Sequence, residues 1–146
     1  MGLDMYLSAR QYLWKHDDEI STQRKKISEL LGVDGVEAKS VIFEAMYWRK
    51  ANAIHNWFVD NVQDGDDDCK ENYVETEQLE QLLADCIQAL ETKDSDVLPP
   101  TEGFFFGSTE VDEYYWADIA ETKEKLSSLL NNEASKKWDF YYQSSW

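Results

Sequence analysis

The chain is 146 residues long, and 42% of its residues are hydrophobic and 14% are aromatic. This length and composition exclude a disordered chain and allow one domain with a substantial core. Thirty acidic residues against fourteen basic residues give a formal net charge of −16 at pH 7. Such a charge repels nucleic-acid phosphate and anionic lipid and favours basic protein partners, so direct nucleic-acid binding is not expected.

Three features of the sequence bear on the cellular compartment. Cys69 and Cys86 are too few for a disulfide framework, and we expect both to be reduced thiols in a cytoplasmic protein. The amino-terminal residues lack the basic region and apolar run that are typical of a secretory signal peptide. No apolar run approaches the length of a membrane span, so no membrane association is expected.

The first half of the chain predicts two strands and two helices. Residues 3–7 alternate apolar and polar side chains, as in a half-buried strand that could continue toward Trp14. Residues 17–31 have helical spacing, with an apolar stripe that includes Leu30 and Leu31 and a basic cluster at 24–26 expected on a solvated face. Residues 40–48 favour a strand that leads directly into a helix over 50–62. A single longer helix is the alternative for this stretch.

The second half begins with an acidic loop at residues 64–68 and a possible short strand over 69–74. Thr76 is expected to cap a helix whose buried positions follow the helical period: Leu79, Leu82, Leu83, Cys86, Ile87 and Leu90. After a polar connection and the run 103–107, Ser108 or Thr109 is expected to cap the next helix. The buried face of that helix is predicted at Val111, Tyr115, Ile119, Thr122, Leu126, Leu129 and Leu130. Residues 139–143 again favour a strand.

These elements predict a single α+β domain over residues 1–146. About four helices should pack on a small mixed or antiparallel sheet of four or five short strands. The connections are uneven in length, and no strand is a continuous run of valine and isoleucine, which disfavours an all-parallel sheet.

The stretch 43–59 concentrates the most versatile side chains of the chain. A helical projection places the following residues on one stripe: Trp48, Ala51, Ile54, His55, Phe58, Val59 and Val62. An imidazole among apolar neighbours needs a hydrogen-bonding partner. Trp48, Arg49, Asn52 and His55 could therefore bind a small anionic or purine-like ligand, with Arg49 contacting a carboxylate or phosphate. The alternative is a structural histidine that is satisfied by Asn52 or by the backbone.

The acidic loop has two possible uses. Its carboxylates could contact a basic protein partner through Asp64, Asp66, Asp67 and Asp68. Part of the calcium-loop template also fits, with weak candidate ligands at Asp60, Asp64, Asp68 and Glu71. Val62 stands where that template needs its second ligand, and a solvated acidic turn is the alternative. The sequence leaves any cofactor unknown, and no complete catalytic constellation can be assembled from its histidines and cysteines.

Four motifs carry a resemblance to a set of small bacteriophage and bacterial proteins of unassigned activity. The motifs are Met-Gly-Leu-Asp-Met-Tyr-Leu at 1–7, Tyr-Trp-Arg-Lys-Ala-Asn-Ala-Ile-His-Asn-Trp-Phe at 47–58, Gly-Phe-Phe-Phe-Gly-Ser at 103–108 and Phe-Tyr-Tyr-Gln-Ser-Ser-Trp at 140–146. They cover both ends and the middle of the chain. The resemblance implies a phage or prophage origin and a protein that acts in the cytoplasm of an infected cell, but it assigns no catalytic residue.

Two functional hypotheses follow from these observations. The first is an acidic interaction protein that binds and modulates a host protein, such as a defence component or a nucleic-acid-binding protein. The second is a small-molecule-binding, nucleotide-binding or hydrolytic domain that uses Arg49, Asn52 and His55. The first is favoured because the acidity is unmistakable and the catalytic set is incomplete.

Overall fold

The computed structural model describes residues 2–146, which fold into one four-stranded sheet and four α-helices. The strands are β1 (Asp4–Tyr12), β2 (Ser40–Arg49), β3 (Asn72–Val74) and β4 (Asp139–Ser145). Their order in the sheet is β2-β1-β4-β3, and every neighbouring pair is antiparallel. The predicted α+β class is therefore confirmed, and the sheet is antiparallel rather than mixed.

The helices are α1 (Asp18–Leu30), α2 (Asn52–Asn61), α3 (Thr76–Thr92) and α4 (Glu113–Asn131), and a short 3₁₀ helix at Glu133–Lys137 precedes β4. The period predicted for α3 is confirmed, because Leu79, Leu82 and Cys86 are fully buried. Within residues 2–146, no helix is both long enough and apolar enough to cross a bilayer.

The core lies between one face of the sheet and helices α2, α3 and α4. Alternate side chains of β1, at Met5, Leu7 and Ala9, are buried, as the period-two pattern of a half-buried strand requires. Phe58 of α2 stacks on Tyr142 of β4 with their ring centroids 3.9 Å apart. The opposite face of the sheet has no helix packed on it and carries exposed tyrosines: Tyr6, Tyr12, Tyr47 and Tyr73.

Strand β2 contains a break in its pairing register, which makes its alternation of side chains harder to recognise in the sequence. Leu7 pairs with Met46, but the next residue of β1, Ser8, pairs with Glu44, so Ala45 has no partner across the ladder. This β-bulge shifts the alternation of side chains along β2. It explains why residues 44–46 dilute the strand signal; the predicted strand over 40–48 is present and extends by one residue, to Arg49.

Helix α1 buries different side chains from those that its sequence predicts. Leu30 and Leu31 are 85% and 71% exposed, whereas Arg24 is only 4% exposed. Arg24 donates a hydrogen bond to the backbone oxygen of Leu13 at 2.6 Å and pairs with Glu37 at 3.2 Å. The expected solvated position of Arg24 and the expected apolar stripe at Leu30 and Leu31 are therefore wrong. The physical reason is that α1 is anchored to its own flanking connections through a buried guanidinium.

Two predicted helix caps are also wrong. Thr76 is the first residue of α3, and the residue before it, Glu75, caps the helix through a reciprocal capping box with Gln78. Helix α4 begins later than predicted, because Asp112 Oδ1 accepts the amide hydrogens of Tyr114 and Tyr115, each at 3.0 Å.

The residues that were expected to open α4 have other roles. Ser108 Oγ accepts the amide hydrogen of Glu110 in the preceding loop, and Thr109 does not cap the helix. Val111, which was expected on the buried face of α4, lies before the helix and is 44% exposed. A carboxylate cap is a stronger acceptor than a hydroxyl cap, which favours a helix start at Asp112.

Replacing Asp112 by alanine should lower the free energy of unfolding by about 1 kcal/mol, because two amide groups in the first turn of α4 lose their acceptor. Thr109→Ala is the matched control and should change that free energy by less than about 0.5 kcal/mol. Urea unfolding followed by circular dichroism measures both variants. Equal losses in the two variants would contradict this assignment of the cap.

Candidate functional site

His55 lies in a buried hydrogen-bond network at the centre of the molecule. Its side chain is fully buried, with Nδ1 at 2.7 Å from the hydroxyl oxygen of Tyr142 and Nε2 at 2.8 Å from Asp67 Oδ2. The other oxygen of Asp67 accepts a hydrogen bond from the indole of Trp146 at 3.0 Å. The edge of Phe106 packs against the imidazole ring. The network therefore joins α2, β4, the acidic loop and the carboxyl-terminal residue.

The chemistry of its members assigns the protons of this network. Burial raises the pKa of the Tyr142 hydroxyl well above its ordinary value, so the phenol keeps its proton at neutral pH. An ionised Asp67 can only accept a hydrogen bond. The tautomer that satisfies both partners has Nε2–H donating to Asp67 and Nδ1 accepting from the Tyr142 hydroxyl. Both ring nitrogens are committed to protein partners, as in a structural histidine, but these partners are not Asn52 or the backbone.

Asn52 fastens the loop that precedes α4. Its side-chain amide donates to the backbone oxygens of Phe106 at 3.1 Å and Ser108 at 2.9 Å, and its side-chain oxygen accepts from the Thr101 amide at 3.1 Å. Gly103 is required in this loop, because a Cβ there would lie 2.2 Å from the ring of the folded-back Phe106. Both polar atoms of the Asn52 side chain are therefore used to hold this loop in place.

The stripe predicted for residues 48–62 is buried, but two elements contribute to it. Ile54, His55 and Phe58 lie on α2, whereas Trp48 belongs to β2 and is buried by the alternation of a strand. Trp57, which is not part of that stripe, is also buried and donates to Asp85 of α3 at 2.8 Å. Helix α2 is therefore enclosed on both sides.

A cavity of ≈ 290 Å³ lies where the end of β2 and the start of α2 meet α4. Arg49 and Asn52 line it, whereas His55 is not among its lining residues. The charged side chains around the cavity are Arg49, Lys50, Glu110, Asp112 and Asp118. Of the four residues proposed from the sequence as a ligand site, the structure therefore brings two together at this cavity.

A groove of ≈ 500 Å³ continues from this cavity along β2. One wall is β2 from Glu44 to Arg49, and the other is α4 at Asp118, Glu121 and Lys125. Arg49 and Asp118 line both the cavity and the groove, so the two adjoin. We refer to the cavity and the groove together as the β2–α4 groove.

A buried hydrogen bond holds the two walls of the β2–α4 groove together. The indole nitrogen of Trp48 donates to Thr122 Oγ1 at 2.8 Å. The hydroxyl of Thr122 in turn donates to the backbone oxygen of Asp118 at 2.7 Å. Since buried polar groups need partners, this chain of bonds fixes the position of α4 beside the last residues of β2.

The side chains of the β2–α4 groove are predominantly acidic. Five carboxylates line it, against three basic side chains. Two of the basic groups already have acidic partners, Arg49 with Asp4 at 3.3 Å and Lys125 with Glu121 at 2.7 Å. Burial, and then the neighbouring charges of Glu121 and Asp112, raise the pKa of Asp118 to about 6.

The outer edge of β2 is open along the groove. Strand β2 is outermost in the sheet, and within residues 2–146 its ladder hydrogen bonds go only to β1. Every second peptide group of an antiparallel edge strand points away from its neighbour and is free to pair. The groove therefore combines free backbone donors and acceptors with an acidic wall.

The acidic loop does not gather the metal ligands proposed from the sequence. Asp60 accepts a hydrogen bond from Asn56, Asp68 pairs with Lys70 at 2.6 Å, and Glu71 pairs with Arg10. Across residues 2–146, no three or more histidine, cysteine, aspartate or glutamate side chains are grouped so that they could hold a metal ion. Three of the four proposed ligands are instead engaged by separate partners, which come from α2, the loop itself and β1.

Comparisons of the chain with protein-family models, curated proteins and solved structures found no match. The geometry of the β2–α4 groove therefore carries the functional argument. Sequence reasoning missed Glu44, Asp118 and Glu121. A partial signal was present, since Asp118 and Glu121 are three residues apart on a predicted helix and so share a face.

Replacing Tyr142 by phenylalanine should lower the free energy of unfolding by about 1–3 kcal/mol, because the buried Nδ1 of His55 loses its donor. Tyr73→Phe removes the same atom from a side chain that is 54% exposed and should have little effect. Urea unfolding of both variants is the measurement. An unchanged free energy in Tyr142→Phe would argue against the proton assignment.

Replacing Asp118 by asparagine should stabilise the protein at pH 7 by about 1 kcal/mol, after allowance for partial exposure of the carboxyl group. The folded-state pKa of about 6 lies above the ordinary value of 3.8 for an aspartate, so ionisation of Asp118 opposes folding. This penalty is absent below about pH 4 and complete above about pH 6. The stabilisation by Asp118→Asn should therefore appear over the same pH range.

Urea unfolding at pH 4 and at pH 7 measures the effect of the Asp118 substitution. Glu124→Gln removes an exposed charge from the same helix and controls for the general benefit of reducing a large negative charge. A gain that is the same at both pH values, or that the control reproduces, would contradict the assignment.

Proposed function

We propose that this protein is an interaction module that binds a basic protein partner at the β2–α4 groove. The observation that carries the proposal is a strand edge beside a wall in which carboxylates outnumber basic side chains by five to three. Interface cores are generally depleted in charge, and a groove with this excess of carboxylates needs a cationic partner to compensate them. Free peptide groups on the edge strand can form hydrogen bonds with the backbone of a partner segment, whatever the side chains of that segment are.

The distribution of charge along the chain supports the same proposal. Residues 10–43, which contain α1, hold six acidic and six basic residues and are neutral overall. The whole formal charge of −16 therefore belongs to the remainder of the chain, which forms most of the groove. A concentrated negative field of this kind steers a basic partner toward the groove and accelerates association.

The acidic loop has a secondary part in this proposal. It follows the carboxyl-terminal end of α2, whereas the groove lies at the amino-terminal end, about 15 Å away along a ten-residue helix. Asp67 is engaged with His55, so only Asp64, Asp66 and Asp68 remain exposed. These three residues add to the long-range field without lining the groove.

The resemblance to phage and bacterial proteins suggests where the partner is found. A phage or prophage protein would act in the cytoplasm of its host, and the partner would then be a host protein. Proteins that bind nucleic acid, including defence components, present basic surfaces that fit an acidic groove. The hypothesis of a hydrolytic or nucleotide-binding site has less support, because the polar atoms of Asn52 and His55 are occupied within the protein.

A displayed library of random peptides tests the proposed function. Peptides selected on the immobilised protein should be rich in lysine and arginine, and fluorescence anisotropy then gives their affinities. The double variant Glu44→Gln/Glu121→Gln should bind them about tenfold more weakly, which corresponds to about 1.4 kcal/mol. The reason is that it neutralises two carboxylates of the groove.

The matched control is Glu77→Gln/Glu80→Gln, which makes the same change in net charge on the exposed face of α3. It should reduce the affinity by much less than the groove variant does. Equal reductions would show that only the overall charge matters, and a selection without basic sequences would overturn the proposed function.

A further inference from the structure

We propose that the partner contributes an extended segment that pairs with the outer edge of β2 and adds a fifth strand to the sheet, with lysine or arginine side chains directed at the carboxylates of α4. This inference rests on the proposed function and specifies how the groove is occupied. Strand addition of this kind obtains affinity from backbone hydrogen bonds and specificity from alternate side chains.

The two edges of the sheet differ in a way that supports strand addition at β2. Strand β3, at one edge, has only three residues, and a very short edge strand offers little to pair with. Strand β2, at the other edge, has ten residues and no proline. Its first half carries Ile42 and Phe43, which are 63% and 47% exposed. The bulge at Ala45 interrupts regular pairing at one point of β2, but the ten-residue edge offers an added strand more backbone groups and more exposed apolar side chains than β3 does.

Helix α4 supplies the second wall that an added strand would contact. Asp118, Glu121 and Lys125 are spaced by three and four residues and so form one stripe that faces the groove. Side chains of an extended segment point alternately to its two sides. Every second residue would therefore face this stripe, and cationic side chains at those positions would meet Asp118 and Glu121.

Charge complementarity selects this occupant over a second copy of the chain. Pairing of β2 with β2 of another copy would place two acidic grooves side by side and bring together two molecules of formal charge −16. Like charges in such proximity are strongly unfavourable. A helix of the partner could satisfy the carboxylates but not the free peptide groups of β2, since its own backbone is already bonded.

Asp118 would couple binding to pH. The carboxyl group is partly protonated near its raised pKa of about 6, and a cationic side chain that docks beside it must displace that proton at lower pH. The acidic and basic side chains that line the groove with it are Glu44, Glu110, Asp112, Glu121, Arg49, Lys50 and Lys125, and the tyrosines are Tyr47, Tyr114 and Tyr115. Affinity should therefore rise between pH 5 and pH 7 in the parent, and rise less in Asp118→Asn.

N-methylation of a peptide from the library selection tests the strand directly. Each backbone nitrogen is methylated in turn, and the affinity is measured by fluorescence anisotropy. In an added antiparallel or parallel strand, only every second N–H bonds to β2. Methylation at alternate positions should therefore weaken binding about tenfold, a loss of about 1.4 kcal/mol per hydrogen bond, and the intervening positions should tolerate it.

Amide hydrogen exchange of the protein gives the complementary measurement. Alternate amides of β2 should become protected when the peptide binds, and the amides of β3 serve as the internal control. Binding that depends on Glu44 and Glu121 but shows no two-residue period would overturn strand addition while leaving the proposed function intact. Absence of basic peptides from the selection would overturn both.

Discussion

The hydrogen bond from the Trp48 indole to Thr122 is the interaction on which the proposed binding site depends. It is buried, so neither group can be released to water without a penalty on the order of 1–3 kcal/mol. Because it joins the end of β2 to the middle of α4, it sets the width of the groove between them. The bulge at Ala45 lies next to this contact, in the part of β2 that forms the groove wall. A feature that serves packing therefore also shapes the surface that a partner would meet.

A second buried network uses one carboxylate of the acidic loop and leaves the other carboxylates of that loop outside the core. Of the carboxylates in the acidic loop, Asp67 turns inward and bonds to His55, while Tyr142 satisfies the other ring nitrogen. The loop is thereby tied to the centre of the fold, and its remaining carboxylates stay in solvent. This arrangement explains how a histidine can lie within an apolar stripe with both of its ring nitrogens hydrogen-bonded. Its polar atoms are satisfied, and the cost of burying it is offset.

The two ends of the sheet separate two kinds of surface. Residues 10–43, which contain α1, are neutral overall and expose Leu30 and Leu31, whereas the rest of the chain, which contains α2 and α4, carries the whole negative charge. Helices cover one face of the sheet, and β2 lies at its edge with its second half beside α4. The open edge is therefore flanked by carboxylates at one end and by apolar side chains at the other. Such an edge suits a segment that is extended, basic at alternate positions and apolar between them.

Much of the fold was predictable because it is encoded locally. The spacing of Leu79, Leu82 and Cys86 determines the buried face of α3, and the alternation at Met5 and Leu7 determines that of β1. Local patterns failed where a contact from elsewhere in the chain decided the outcome. Arg24 is buried because Leu13 and Glu37 meet its guanidinium, and α4 starts at Asp112 because that carboxylate outcompetes the hydroxyls before it.

By itself, the sequence determined the α+β class, the strongly acidic surface and the inward position of His55, because composition and periodicity carry that information directly. Only the tertiary structure decided which strand lies at the edge, since the order β2-β1-β4-β3 comes from pairings between residues far apart in the chain. It likewise decided that Asp118 and Glu121 face Glu44 across a groove. Residues from a helix and a strand more than seventy positions apart share that groove only after the chain has folded.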